Sequence, residues 1–334
     1  MPKLKALVLL SGGLDSILAA KVLQAQGTEV QGICFRSNFF SSEKAKKAAE
    51  SIGIKLNIVD ISNELLEIVK NPPSGYGKHL NPCIDCHALM TKKASEIKEY
   101  NVIATGEVLG QRPFSQKKEA LARVEKLAGV EILRPLSAKL LPETEIEKKG
   151  LVNRGRLLNI RGRGRGRQME LAQKYNIKEY STPAGGCLLT DPEFSQRLGK
   201  MLDYWPDCTT DDVQLLKFGR IFWQNSKGSK KILLIVGRHQ TDDKALEKFA
   251  KPGDIILELK DIPGPLTLLR AKNYKFKLQE DILKINVPSE LKKGELKLSE
   301  TKSEDEILKI AGLLTGWYAI KARGKKVKIE VKNK

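Results

Sequence analysis

Histidine is nearly absent, with three residues in 334, and aromatic side chains make up only 6% of the chain. Imidazole acid–base chemistry is therefore not expected, and any catalysis should run on thiolates, a divalent cation and oriented backbone amides. Cysteine is scarce as well: five residues, an odd number, argue against a disulfide framework. No apolar run approaches the roughly 20 residues that span a bilayer. The longest, such as Ala6–Leu10 and Ile232–Val236, are strand-sized. Lys3 and Lys5 precede the first of these, but Ser11, Gly12, Gly13 and Asp15 end it before a signal-peptide core could form. A cytoplasmic location without a membrane partner is the expectation. Acidic residues are also in deficit, 40 against 59 Lys and Arg, a net charge of +19. An excess this large favours a polyanionic partner. Because the basic residues are spread along the chain rather than gathered on one amphipathic helix, nucleic acid is favoured over an anionic membrane.

The length fits two or three domains that bury their own cores. Short runs rich in Val, Ile and Leu at 6–10, 30–35, 56–61, 102–105 and 130–133 alternate with segments at 16–26, 42–52, 84–99 and 117–128. In those segments apolar residues recur at three- and four-residue spacing. The expected fold class is α/β, a doubly wound parallel sheet over residues 1–133, with ligands at the carboxyl ends of its strands. Residues 71–82, NPPSGYGKHLNP, read as a loop leading into Cys83. Residues 134–210 read as an extension on the sheet domain, with helices from about 170 broken by a turn at 181–187. From 218 to 334, GRIFWQ, KILLIVG, DIILELK and KKVKIEVK read as strands and 304–320 as a helix, a smaller α+β domain. The lysine-rich stretch 289–303 reads as an exposed loop, and the tail from Ile320 carries seven Lys or Arg against one Glu.

SGGLDS at 11–16 lies directly after the first expected strand and opens the first helix. Two glycines let the backbone approach a phosphate closely, the following amides donate to it, and the helix N-terminus adds positive potential. Asp15 is placed to hold Mg²⁺ and Ser16 to bond a phosphate oxygen. No lysine follows the glycines, so the motif is neither of the common nucleotide-binding fingerprints. The plain alternative is a strand-to-helix turn with Ser or Asp as a cap.

Cys83 and Cys86 stand three apart at a helix start, where the helix N-terminus is expected to lower their pKa toward thiolate, and Cys187 follows a hundred residues later in PAGGCLLTD. Three readings stay open on spacing: a structural zinc site completed by His87 or His79, a metal-free thiol pair carrying persulfide, or three ligands to a [4Fe–4S] cluster with one open iron. CxxCH also matches a haem attachment pattern, which the absence of an export signal disfavours. Cys34 and Cys208 read as small core residues, and Trp205, Trp223 and Trp317 as packing residues.

SGGLDS after strand one resembles the PP-loop of the ATP pyrophosphatases. LNPCIDC is similar to the cysteine loop of tRNA 2-thiouridylases, TGEVLGQRPFSQ at 105–116 is similar to a loop of tRNA 4-thiouridine synthases, and PAGGCLL supplies the distant cysteine of both. The resemblance spans residues 11–190. It implies that Ser11, Gly12, Gly13, Asp15 and Ser16 cradle pyrophosphate, that Cys34 and Phe35 lie near the adenine, and that Gly106 belongs to the ATP site. It further implies that ATP adenylates a uridine oxygen of tRNA and that sulfur then displaces AMP. Cys187 and one of Cys83 or Cys86 would handle sulfur, supplied as sulfide or by a persulfide donor. The two-plus-one cysteine pattern looks like the iron–sulfur branch, with zinc or no metal as alternatives, and a homodimer is compatible with all of this. The sequence departs from the 4-thiouridine synthases in having no RNA-binding domain in residues 1–10 and no rhodanese-like pattern in 218–334. Instead GRIFWQ, LLIVGRHQTDD and DIPGPLTLLR resemble, more weakly, the RNA-binding domain of the NFACT ribosome-quality-control proteins.

Arg161, Arg163, Arg165 and Arg167 alternate with glycine, a run that cannot bury a core and is expected to grip RNA phosphates. Four to six such contacts imply a log–log salt slope of roughly −3 to −5; a solvated basic loop is the plain alternative. Two other function classes remain: a PP-loop ligase acting on a small carboxylate or cofactor precursor, and a zinc-containing RNA-binding factor without catalysis.

Overall fold

The structure is a computed structural model that describes residues 4–180, 186–223, 232–271, 276, 281–289, 291–292, 295–296 and 303–334. It forms two compact units, Met1–Ser195 and Gln196–Lys334. The expected middle segment 134–210 is therefore divided, with residues up to 195 in the first unit and the rest in the second.

The first unit begins with β1 (Lys5–Leu9), α1 (Leu14–Gln24), β2 (Glu29–Arg36), α2 (Glu43–Ile52), β3 (Leu56–Asp60) and α3 (Ser62–Lys70). It continues with α4 (Cys83–Ser95), β4 (Val102–Thr105), α5 (Lys118–Ala128), α6 (Glu145–Lys148) and α7 (Gly166–Lys174). The four strands form a parallel sheet in the order β3-β2-β1-β4. Ala6, Leu7 and Val8 on β1 are fully buried, which is why this central strand reads as unbroken apolar sequence. The expected fifth strand at 130–133 contracts to one parallel bridge, Leu133 to Ala104. Strand order reverses between β1 and β4, so the loops leaving these strands meet at the switch point where doubly wound sheets bind ligands.

Helix α1 is apolar nearly all round, with Leu14, Ile17, Leu18 and Leu23 at 0% exposure. A helix of that kind needs cover on both sides. The sheet supplies one side. Val152, Leu157, Ile160, Leu171 and Ala172 join the same core, so the 134–172 extension supplies the other. Within the arginine–glycine run itself, Arg161, Arg163 and Arg167 stay exposed.

Helix α8 (Pro192–Tyr204) carries the division between the units. The second unit adds α9 (Thr210–Leu215), β5 (Arg220–Trp223), β6 (Ile232–Val236), α10 (Gln240–Phe249), β7 (Ile255–Leu259), β8 (Thr267–Ala271), β9 (Asp281–Lys284), β10 (Leu291–Lys292), β11 (Glu295–Leu296), α11 (Glu304–Tyr318) and β12 (Lys326–Asn333). Its main sheet is antiparallel, in the order β5-β6-β8-β7-β12-β9. Ile307, Ala311 and Leu314 of α11 pack in the core of this unit. Trp205 and Trp223 are buried edge-to-face, while Arg323 lies 4.3 Å over the Trp317 ring. The expected strands and closing helix are present; α10, β8 and β9 are additional, and so is the short antiparallel pair β10–β11 inside the stretch 289–303 expected as a loop. Most of 289–303, and residues 181–185 of the expected turn, lie outside the described residues. Among the described residues no helix is long and apolar enough to cross a membrane.

Candidate active site

The SGGLDS segment turns sharply between β1 and α1. Gly12 has φ +81°, and a Cβ there would lie 2.4 Å from the Lys44 backbone carbonyl, so only glycine lets the loop lean on α2. Ser16 is buried and donates its hydroxyl to the Gly13 carbonyl at 2.8 Å, while the Ser11 amide donates to Ser16 Oγ at 3.3 Å. Ser16 is thus a strut inside the loop, and Ser11 is the exposed hydroxyl. Gly106, at the exit of β4, faces the α1 backbone: a Cβ would stand 2.5 Å from both Asp15 C and Ser16 N. Its part in the site is to let the two loops touch.

Asp15 sits in the first turn of α1. Its Oδ2 accepts from Gln111 Nε2 at 3.0 Å, and Arg165 Nη2 stands 3.7 Å away. Its Oδ1 is buried without a hydrogen-bond partner. An unpaired buried carboxylate oxygen is costly in a folded protein and fits a hard cation such as Mg²⁺.

The cysteines lie at a second loop. The Ser74 amide and hydroxyl donate to Asp85 at 2.9 and 2.5 Å, fastening residues 71–82 to α4. Cys83 and Cys86 occupy the first turn of that helix, and Asn81 Nδ2 donates to Cys83 Sγ at 3.2 Å. Cys187 is held from the other side, since the Leu188 amide donates to the Phe39 carbonyl at 2.9 Å. The three sulfurs act on one another electrostatically.

For Cys86 the expected shift toward thiolate is reversed. Burial pushes the Cys86 thiol well above its usual range, and Cys187, Cys83 and Asp85 add to it. Burial pushes Cys187 up to about 11 against the Leu189 and Thr190 amides and Arg112, which favour its thiolate. Desolvation outweighs the helix terminus here. Among the described residues no group of three or more His, Cys, Asp or Glu is arranged to hold a metal ion as it stands. In chemistry the set still suits a soft centre: three sulfurs, with a neighbouring cation and amides that favour the deprotonated form. His87 does not join it through Nδ1, which pairs with Glu107 Oε1 at 2.8 Å.

That contact belongs to a buried network not legible in sequence spacing. Glu107 also accepts from Arg134 Nε at 3.0 Å and Thr105 Oγ1 at 3.1 Å. Burial works to raise the Glu107 pKa, but His87 and Arg134 more than offset it and hold the carboxyl down to about 2. Cys34 and Phe35, expected near an adenine, are each 4% exposed, and burial raises the Cys34 thiol to about 11. Their side chains are covered, so a base at this strand end would meet main chain. Cys208 is buried beside Trp205, as a core residue.

Sequence reading also missed what Gln111 and Arg112 do. Gln111 holds Asp15, and Arg112, the next residue, acts on the Cys187 thiol. Consecutive Cα atoms are about 3.8 Å apart. One loop therefore joins the SGGLDS site to the thiols. Only its place in TGEVLGQRPFSQ could have flagged it.

Residues 3–146 match the family model described as Thiamine biosynthesis protein (ThiI). A probable tRNA sulfurtransferase of Thermoanaerobacter sp. (strain X514) is 35% identical over 154 residues, 42% of this chain and 38% of that protein. The tRNA-specific 2-thiouridylase MnmA of Campylobacter concisus is 28% identical over 171 residues, 44% of this chain and 50% of that protein. The chain thus spans half or less of the length of these curated relatives. Among solved structures, a 4-thiouridine synthetase in complex with RNA and bound ATP aligns at a TM-score of 0.38 and 22% identity, covering 63% of this chain and 52% of the other. The parallel sheet β3-β2-β1-β4 and the SGGLDS turn both lie inside the segment 3–146 that matches the ThiI family model.

Proposed function

We propose that the protein is an ATP-dependent tRNA sulfurtransferase that makes a thiouridine. The observation that carries this reading is the loop on which Gln111 bonds Asp15 and the next residue, Arg112, acts electrostatically on Cys187, because it links the segment bearing Asp15 to one bearing a thiol.

In the first step the uridine carbonyl oxygen attacks the α-phosphorus of ATP and pyrophosphate leaves. The amides after Ser11 and the N-terminus of α1 face the charge that builds on that leaving group. Asp15 would hold Mg²⁺ through the oxygen that has no protein partner, and the cation would neutralise phosphate charge. In the second step sulfide attacks the activated carbon, and AMP departs with the former carbonyl oxygen. Cys83, Cys86 and Cys187 would hold an iron–sulfur cluster, which supplies a site for binding sulfide at an iron without a protein ligand; a persulfide donor is the alternative source. The buried Cys86 thiol and the buried Glu107 network leave little room for water on that face, which would protect the adenylate from hydrolysis.

The basic excess supports tRNA as the polyanion, with Arg161 and Arg163 and the tail after Ile320 as contacts, and a cytoplasmic setting. The test is nucleoside mass spectrometry of total tRNA from cells with and without the gene. Loss of one thiouridine supports the reading; an unchanged set of thiolated nucleosides in cells without a second such enzyme refutes it.

A further inference from the structure

The four arginines of the arginine–glycine run do not share one environment. Arg161 and Arg163 are exposed, and Arg167 is exposed and pairs with Glu170 on its own helix at 2.7 Å. Arg165 is different: its side chain is 22% exposed and points to Asp15 in the SGGLDS turn. The backbone holds it there. The Gly162 amide donates to the Leu109 carbonyl at 2.8 Å, Leu109 and Arg161 form a parallel bridge, and the Leu109 amide donates to Ser137 Oγ at 3.0 Å. The run is thereby stitched to the 105–116 loop, and Arg165 begins α7, which packs on α1.

Several polar atoms around this point are left unsatisfied. Arg165 Nη2 is 3.7 Å from Asp15 Oδ2, too far for a hydrogen bond. Arg165 Nε and Asp15 Oδ1 are both buried without hydrogen-bond partners. Gln168, one turn on from Arg165 and on the same side of α7, is fully buried with neither its Oε1 nor its Nε2 bonded. Unmade bonds of this kind are costly in a folded protein. A protein that keeps a guanidinium, a carboxylate oxygen and an amide unsatisfied side by side has left room for a ligand that satisfies them.

We propose that Arg165 is a phosphate ligand of the nucleotide site and not part of the tRNA grip, its guanidinium leaving Asp15 for the phosphate oxygens when a Mg²⁺-bound polyphosphate enters. A planar guanidinium fork suits two phosphate oxygens, whereas the loop of residues 11–16 offers only amides and hydroxyls and contains no cation of its own. Asp15 would hold the cation through its carboxylate, and Arg165 would then be free to turn to the phosphate oxygens. The run then serves two tasks: Arg165 turns inward to the nucleotide, while Arg161 and Arg163 face outward. This inference rests on the nucleotide reading above and adds a residue that the SGGLDS motif does not contain.

The experiment is calorimetric titration of the full chain with inorganic pyrophosphate in excess Mg²⁺, on the unaltered protein, Arg165→Ala and Arg165→Lys, with tRNA affinity measured on the same samples by filter binding. Loss of one charged hydrogen-bonding group predicts pyrophosphate binding about 10- to 100-fold weaker in Arg165→Ala, partial recovery in Arg165→Lys, and tRNA affinity within about twofold. Pyrophosphate binding in Arg165→Ala equal to that of the unaltered protein overturns the assignment, as does weakened tRNA binding with pyrophosphate binding intact. If the unaltered protein binds neither pyrophosphate nor ATP, the nucleotide site itself fails, and this inference fails with it.

Discussion

Gly106→Ala adds one methyl group at the point where the β4 exit touches the start of α1. The new carbon would stand 2.5 Å from Asp15 C, 2.5 Å from Ser16 N and 2.6 Å from Asp15 O. Contacts between such atoms normally sit at about 3.5–4.0 Å, so the two loops must part by roughly 1 Å. No flexible side-chain tip is among the atoms met, and the strain falls on backbone. Overpacking of this kind costs about 1–3 kcal/mol, which lowers the Tm by about 2–4 °C per kcal/mol in a unit of this size. The displaced atoms belong to Asp15 and Ser16 themselves, and a 1 Å misplacement costs on the order of 10²-fold in rate. Calorimetry on the full chain reads the first effect, and ATP–pyrophosphate exchange in the presence of tRNA reads the second. Gly164→Ala, with nothing within 4 Å of the added carbon, should leave stability within about 0.5 kcal/mol. A Gly106→Ala protein with an unchanged Tm and normal exchange would refute the argument; a lower Tm with normal exchange would refute the link from this contact to Asp15.

Asp15→Ala should abolish Mg²⁺-dependent ATP binding while the far-UV circular dichroism stays the same, because the carboxylate makes few contacts that hold the fold. Glu107→Gln removes one of the two carboxylates on the buried Arg134 guanidinium, leaving Glu125, and should cost about 1.5–3 kcal/mol in chemical denaturation. The same carboxyl gives a pH signature: in the folded protein its pKa is held down to about 2, below the ordinary glutamate value of 4.5. Its stabilisation is complete above pH 4.5 and is lost as pH falls toward 2, so a Tm series in acid should drop through that window and the Gln variant should not show that drop. Alkylation of Cys187 by iodoacetamide in the metal-free protein should be slow at pH 7 and rise toward pH 11, and rapid labelling at neutral pH would contradict the dominance of burial. Replacing Arg161 or Arg163 by Ala should each reduce the salt slope of tRNA binding by about 1, read from binding isotherms over a range of salt.

The parallel sheet was legible because β1 and β4 are buried on both faces and read as uniform apolar runs; β1, β2 and β4 fall within a residue of where the runs place them. The run at 130–133 looked the same and is only a bridge, since the chain turns at once to bury Arg134 against Glu107. Helix α3 escaped notice because Asn71, Pro72 and Pro73 follow it directly and the stretch reads as loop. The SGGLDS motif announced the sharp turn from β1 into α1, because glycine spacing and strand-to-helix context are local facts. What sequence could not show are contacts between distant segments. Gln111 with Asp15 lies 96 residues apart, and Arg165 with Asp15 is a longer reach still. The thiols teach the same point: a local rule places Cys83 and Cys86 at a helix start, and the tertiary fold then buries Cys86 and reverses the expected shift.

The central claim is that one site both adenylates and thiolates tRNA, and counting products on the purified, reconstituted protein tests it most directly. With ATP, Mg²⁺, sulfide and unmodified tRNA, AMP and thiouridine should form one for one. Asp15→Ala should make neither, and Cys187→Ala should release pyrophosphate and leave adenylated or hydrolysed tRNA without thiouridine. AMP release that does not depend on tRNA, or thiouridine formed at the normal rate by Cys187→Ala, would contradict the account.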